Sequence, residues 1–321
     1  MAKPPKLEKI KLSKLDDLIE ANDPNTKYDD KGGDDLAVIG GSISDFSFET
    51  RGKKKVILTD DSGDVFEFKK VETLLFDGGT PGDTTDDVIY NLDLGTFTTL
   101  DTTLDPSGLT GTGNMLVGSG IPGSDFVVTR QEDAGVELGL GIRYRQGPAV
   151  DAVSVDNDGA IRFEVNTGGQ STVNGSSGNH AGRAAWSFQY SAITGLNGET
   201  TDLSGFTFVL KIDTDVTDGT DFRVLTMEPA SFPNATGFVW VDQDGTPTIG
   251  DDGGNGNVAQ NSENYAFGFI NNFIDADPNT AGMQDYAASG FTEAEFDIIL
   301  EAYDGNKLIA DTHIVVDVID M

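Results

Sequence analysis

Apolar residues in this chain recur at alternate positions in short runs, and the runs stop at glycine, aspartate or asparagine. Phe296, Ile298 and Leu300 fall on one side of an extended segment, Asp304-Gly305-Asn306 turns the chain, and it returns through Leu308 to Val318. A period of two with that punctuation builds strands and tight turns, whereas a helix needs apolar residues three and four apart. Together with 40 glycines in 321 residues, this predicts an all-β protein. The expected arrangement is a small antiparallel N-terminal β domain followed by a β-sandwich of jelly-roll type.

Charge sets the second constraint. Fifty-four acidic side chains against 21 basic ones give a net charge of −33, and residues 1–70 hold 13 of the basic and 15 of the acidic groups. The rest of the chain is therefore strongly anionic. Such a field repels nucleic acid and anionic lipid, and it strains the folded state unless salt or divalent cations neutralise it. Cysteine is absent, which removes thiolate metal sites, catalytic thiols and disulfides together. No apolar stretch approaches the roughly 18 residues of a membrane span, and Met1-Ala-Lys-Pro-Pro-Lys leads into no signal-peptide core.

Four regions follow from composition. Residues 1–30 read as a basic arm: five lysines lie between Lys3 and Lys14, and Leu15, Leu18 and Ile19 are spaced for a short helix capped by Ser13 and Asp16. Such an arm suits an acidic face of a neighbouring copy, so that subunits join head to tail. Residues 31–80 read as a β meander, residues 81–115 as a Thr/Gly/Asp-rich linker, and residues 116–321 as the sandwich. Ten candidate strands fill that last region, from Asp125–Thr129 to Leu308–Val318.

The meander carries the best local signal. Gly32-Gly33-Asp34-Asp35-Leu36-Ala37-Val38-Ile39-Gly40-Gly41 leads through Phe46–Glu49, Lys55–Asp61 and Val65–Phe68 to Val71-Glu72-Thr73-Leu74-Leu75-Phe76-Asp77-Gly78. This run resembles the unit that flanks calcium-binding nonapeptide repeats in RTX-type proteins. The resemblance implies export from a Gram-negative cell by type I secretion, uncleaved, under a C-terminal signal. His313–Met321 is apolar and acidic enough for that signal, and equally suits a final core strand. A calcium β-roll needs tandem repeats, and one degenerate copy, around Gly32 to Gly41, is visible, so the sequence does not predict a stacked roll. The closing hairpin, with Ala259–Asn264 ahead of Tyr265 and Phe267, is similar to β-sandwich domains of bacterial secreted and surface-anchored proteins.

Acidic loops are the candidate sites. Asp213, Asp215, Asp218 and Asp221 share one loop, Asp242 and Asp244 a second, Asp156 and Asp158 a third, and Asp275 and Asp277 a fourth. Alternate oxygen ligands with a turning glycine suit Ca²⁺, which takes six to eight hard oxygens. None matches an EF-hand, because Thr217 and Asp218 break the pattern. The same residues also make ordinary Asp-Gly turns with Asx hydrogen bonds. No enzyme is expected: the two histidines, His180 and His313, have no nucleophile motif around them, and the glycine-rich stretches lack a phosphate-loop lysine.

Three classes remain. The leading one is an extracellular structural protein, held by Ca²⁺ and self-association in a surface layer, filament or biofilm matrix. The second is a calcium-dependent carbohydrate-binding or adhesive sandwich, with Trp186, Tyr190, Trp240 and Tyr265 as a stacking platform for cell-surface glycan. The third is a phage structural jelly roll.

Overall fold

The computed structural model describes residues 7–78, 87–102, 126–144, 150–156, 159–167, 184–196, 202–217, 219–229, 237–250, 256–265 and 293–320. The chain divides into two compact units, residues 1–100 with 155–160 and residues 101–154 with 161–321. The all-β, sandwich-like class read from alternation is the class that forms. Among the described residues there is no α-helix, and no helix is long and apolar enough to cross a membrane.

In the first unit β1 (Glu8–Lys11), β3 (Thr26–Asp29) and β7 (Val65–Lys69) run parallel in one sheet. In the other, β2 (Leu18–Glu20), β4 (Leu36–Ile39) and β8 (Thr73–Phe76) run parallel. The chain alternates between the two sheets, so each pair of strands is one turn and three turns stack into a roll. Glu8 is in register with Thr26, and Leu18 with Leu36. Both ladders therefore advance by the same 18 residues from the first turn to the second. Between the second and third turns, β5 (Phe46–Thr50) and β6 (Lys55–Asp60) form a hairpin that pairs antiparallel with β7. Of the antiparallel meander expected over residues 31–80, β5, β6 and β7 pair in that way, whereas β4 and β8 of the same run lie parallel in the other sheet. Strands β9 (Val88–Asn91) and β10 (Thr96–Thr102) extend the second sheet antiparallel.

The roll holds because its inward positions repeat from turn to turn. Ile10, Tyr28 and Phe68 stand in one row, and the Tyr28 and Phe68 rings stack with centroids 5.1 Å apart. Ile19, Ala37 and Leu74 stand in the facing row, and all of these side chains belong to one core. Outward positions carry charge: Lys9 and Lys69 flank Asp29, and Lys27 and Lys55 flank Glu67. Lys9 and Lys69 hold the Asp29 carboxyl down at about 2.

The short helix expected from Ser13 to Ile19 does not form. Ser13 Oγ accepts the Leu15 N–H at 3.0 Å and the Asp17 carboxylate accepts the Ser13 N–H at 2.7 Å, which bends the chain into β2. A helix this short is marginal alone, while pairing with β4 buries Ile19. The basic segment thus supplies the first turn of the roll, and β1 is built into the sheet through β3.

In the second unit β11 (Phe126–Gln131), β12 (Val136–Tyr144), β15 (Trp186–Thr194) and β20 (Val258–Asn264) form an antiparallel sheet in that order. The other sheet runs β13 (Ala152–Val155), β14 (Ile161–Asn166), β22 (Lys307–Ile319), β21 (Ala294–Asp304), β16 (Thr207–Asp213), β17 (Phe222–Pro229), β18 (Phe238–Asp242) and β19 (Pro247–Gly250). Strands β11 and β12 pack across onto β22, and β12 also meets β21. Trp186, Tyr265 and Phe296 fill the space between, with the Tyr265 ring centroid 4.6 Å from Trp186 and 4.5 Å from Phe296.

Strand β20 has no apolar alternation and is not among the ten candidate strands. Asn264 at its end is nevertheless buried because it is satisfied. Asn264 Nδ2 donates to the carbonyls of Ala184 at 2.9 Å and Trp186 at 2.7 Å, and its Oδ1 accepts the Ala184 N–H at 2.9 Å. Asn264→Ala strands those backbone groups in the core, so denaturant unfolding is expected to show a loss of about 2 kcal/mol.

Candidate metal centre

The roll places acidic residues of successive turns on top of one another. Asp17 precedes Leu18 in the first turn, Asp35 precedes Leu36 in the second, and Glu72 precedes Thr73 in the third, so the strand register makes these three positions equivalent. Asp30, at the end of β3, turns into the same place. Asp17, Asp30 and Asp35 each bring one carboxylate oxygen within 4.8 Å of the others, and this is the only such acidic group among the described residues.

Burial makes the group unusual. Asp30 is 3% exposed and Asp35 1%. Some of their oxygens are used: Asp35 Oδ1 accepts the Asp17 N–H at 2.8 Å, Asp30 Oδ2 accepts the Gly32 N–H, and the Asp35 N–H donates to Glu72 Oε2 at 3.3 Å. Asp30 Oδ1 and Asp35 Oδ2 have no hydrogen-bond partner. A buried carboxylate oxygen without donor or cation costs several kcal/mol. Burial pushes the Asp35 carboxyl up to about 7 against the opposing Asp17 N–H, helped by the Asp30 side chain, with which a protonated Asp35 shares a hydrogen bond, and by the negative charges of Asp30 and Glu72. Glu72 is raised as well, chiefly by burial.

These residues fit a hard divalent cation. The donors are all oxygens, two of them are orphaned and buried, and no cysteine or histidine competes, which is the donor set Ca²⁺ takes and zinc does not. Asp17, Asp30 and Asp35 would hold the ion, with Glu72 next to it. Charge neutralisation is the chemistry it would supply.

The loops chosen from the sequence are arranged differently. Asp213 is fully buried and its Oδ1 accepts the N–H groups of Asp215 at 3.0 Å and Asp221 at 2.8 Å. Burial pushes its carboxyl up to about 6. Asp215 Oδ1 is engaged by the Thr217 N–H and hydroxyl, both at 2.9 Å. The loop is therefore an Asx-organised turn: its described aspartates, Asp213, Asp215 and Asp221, form no acidic group of three, although Asp213 Oδ2 is buried without a partner. Asp242 Oδ2 takes the Arg223 guanidinium, with Nε at 3.0 Å, and Asp244 Oδ1 accepts the Thr246 N–H at 2.8 Å. An arginine stands where a cation would have to bind. Asp156 lies in the turn closed by its own N–H to the Ala160 carbonyl at 2.8 Å, in no acidic group of three. Asp158, Asp218, Asp275 and Asp277 lie outside the described residues, as does His180.

Two further expectations concern aromatic and histidine residues. Trp186 and Trp240 are 1% exposed, Tyr190 and Tyr265 are fully buried, and Trp240 packs edge-on against Tyr190 with centroids 5.4 Å apart. All four are core residues, so they do not make the stacking platform envisaged for a sugar ring. His313, on β22, sits with Nε2 2.5 Å from Asp297 Oδ1.

The acidic group was missed in the sequence, although a signal was present. Asp16-Asp17-Leu18 recurs as Asp34-Asp35-Leu36 at the 18-residue advance of the roll. The third member departs in both type and spacing, because the β5–β6 hairpin intervenes. No known protein-family model matches the chain, and no curated protein does.

Proposed function

We propose that this chain is an extracellular structural protein that takes up Ca²⁺ and then assembles with its own copies into a surface layer, filament or matrix. The observation that carries the reading is the Asp17–Asp30–Asp35 group, in which two buried oxygens, Asp30 Oδ1 and Asp35 Oδ2, are left without donors. Calcium there would neutralise the buried like charges of Asp30 and Asp35. At the surface, the same cation lowers the repulsion of a chain at −33, which otherwise opposes packing of one copy on another.

The 18-residue advance of the roll equals two nonapeptides, which supports kinship with RTX-type proteins beyond the flanking phrase around Val71–Gly78. Such a chain stays loose where calcium is scarce and compacts outside the cell, because an ion that binds only the folded state stabilises it by mass action.

Light scattering on the purified chain tests this. Millimolar Ca²⁺ is expected to drive growth into large assemblies that excess chelator reverses. A monomer under both conditions overturns cation-driven assembly as the function.

A further inference from the structure

We propose that the basic end of the β5–β6 hairpin in one molecule docks on the acidic outer face of strands β14, β22 and β21 in a second copy, a heterologous contact that repeats head to tail. The proposal rests on the self-assembly reading above and identifies its interface. Arg51, Lys54, Lys55, Lys69 and Lys70 gather at that hairpin end. The Lys70 N–H donates to the Lys54 carbonyl at 2.8 Å, the Arg51 N–H donates to the Lys55 carbonyl at 2.8 Å, and Lys55 is in register with Lys69. Carboxylates answer part of this charge: Glu49 lies 2.7 Å from Arg51, Glu67 2.8 Å from Lys55 and Asp29 3.1 Å from Lys69. Lys54, which is exposed, and Lys70, which is partly so, form no ion pair among the described residues. Two uncompensated lysines thus stand side by side in a chain with 54 carboxylates.

The backbone singles out Lys70. Its φ is +62°, in the left-handed region that a side chain strains and glycine adopts freely. Among the described residues the other positive-φ positions are glycine, apart from Asn25. A lysine held where glycine would be the easier residue points to a use for its side chain.

Charge identifies the partner surface. Residues 71–321 hold 8 basic and 39 acidic side chains, and the eight-stranded sheet collects several of the acidic ones on one face. Phe296, Ile298 and Leu300 are fully buried in the core, so Glu295, Asp297 and Glu301 stand on the other side of β21. Asp317 and Asp311 lie across from Glu295 and Glu301 on β22, and Glu164 lies beside Asp317 on β14. Against these six carboxylates, Arg162 meets Glu295 and Asp317, each at 2.6 Å, and Lys211 meets Glu301 at 2.5 Å. His313, beside Asp297, adds a third cation only when protonated. The face therefore stays anionic, and Glu164 on it is exposed. Docking the hairpin end on its own copy, or the acidic face on its own copy, sets like charge against like; hairpin end on acidic face sets lysine against carboxylate. A contact whose two surfaces lie on different parts of the chain generates open arrays.

A carbodiimide, which joins a lysine amine directly to a touching carboxylate, tests the contact. Isotopically light and heavy native chains are mixed, assembled in millimolar Ca²⁺ and cross-linked. The expected products join Lys54 or Lys70 of one isotope to Glu164 or Asp317 of the other; links from these lysines that stay within one isotope, or reach other carboxylates, overturn the pairing. In a second arm, K54E/K70E is expected to raise the concentration needed for assembly about tenfold, and mixing it with Glu164→Lys to restore it. Lys70→Gly separates interface from fold: it relieves the backbone while removing the charge, so it should melt no lower than the native chain and yet need about threefold more protein to assemble. Assembly by K54E/K70E at the native concentration overturns this interface while leaving calcium-driven assembly standing. No assembly by the native chain at all sinks the parent reading.

Discussion

Asp35→Asn is expected to raise the melting temperature of the calcium-free protein at pH 8, and to abolish its response to calcium. Removing a charged group from a folded protein usually destabilises it; here the sign reverses, because the native carboxylate is buried beside Asp30 and Glu72 with one oxygen unpartnered. Asparagine keeps an oxygen to accept the Asp17 N–H, loses the like-charge repulsion and gains an amide that can donate to Asp30 Oδ1. The gain expected is about 1–3 kcal/mol. The native protein should instead gain about 2.7 kcal/mol from calcium at a hundredfold excess over its Kd, and the variant nothing.

The pH dependence follows from the same group. The Asp35 carboxyl titrates at about 7 in the folded chain, against an ordinary value of 3.8. Between those values the folded state holds a proton that the unfolded state has released. The contribution of this group to calcium-free stability is therefore fully present below pH 4, falls as pH rises from 4 to 7, and is lost above 7. Calcium and the proton compete for the same oxygens, so the calcium-induced rise in melting temperature should be large at pH 8 and small at pH 5. Calorimetry at both pH values, with calcium and with chelator, reads all four conditions. A variant that melts lower without calcium and still responds to it would show that Asp30 and Asp35 form a proton-sharing pair and not a cation site.

Gly33→Ala should be the most damaging small substitution in the N-terminal unit, at about 3–5 kcal/mol. Gly33 has φ +128°, and a Cβ there would lie 2.6 Å from the carbonyl carbon and oxygen of Leu15 and 2.9 Å from the Asp16 nitrogen. Those are backbone atoms of the turn below, which cannot rotate away, so the first and second turns must separate. Gly32→Ala is the control, since its φ is +127° but nothing lies within 4 Å of its Cβ position. That variant carries the backbone strain alone, about 1–2 kcal/mol. Equal losses in the two variants would mean that the contact between turns contributes nothing. Because that contact also sets the spacing of Asp17 from Asp35, Gly33→Ala should weaken calcium binding while Gly32→Ala leaves it unchanged; isothermal titration separates them.

Strands with one apolar face were legible because burial imposes a period of two on the sequence. Phe296, Ile298 and Leu300 on β21 announce their strand in this way, as do Val56 and Leu58 on β6. Strand β20 was not, since Asn264 is buried by hydrogen bonds to distant backbone, and Gln260 donates to the distant Ser191 hydroxyl, so neither is buried by apolarity. The first turn was misread for a related reason. Leu15, Leu18 and Ile19 fit helical spacing, and only the parallel partner β4 tells that Ile19 points into a core while Leu18 does not.

By itself, then, the sequence determined the all-β class, the strands with one apolar face and the strongly anionic character of the chain, because each is set by local spacing or by composition. Where the carboxylates gather was decided by tertiary structure alone. Asp213 and Asp215 are neighbours in sequence, yet the loop turns them onto its own N–H groups. Asp17, Asp30 and Asp35 converge because two parallel ladders step by one fixed advance, and such an advance joins residues that lie far apart along the chain.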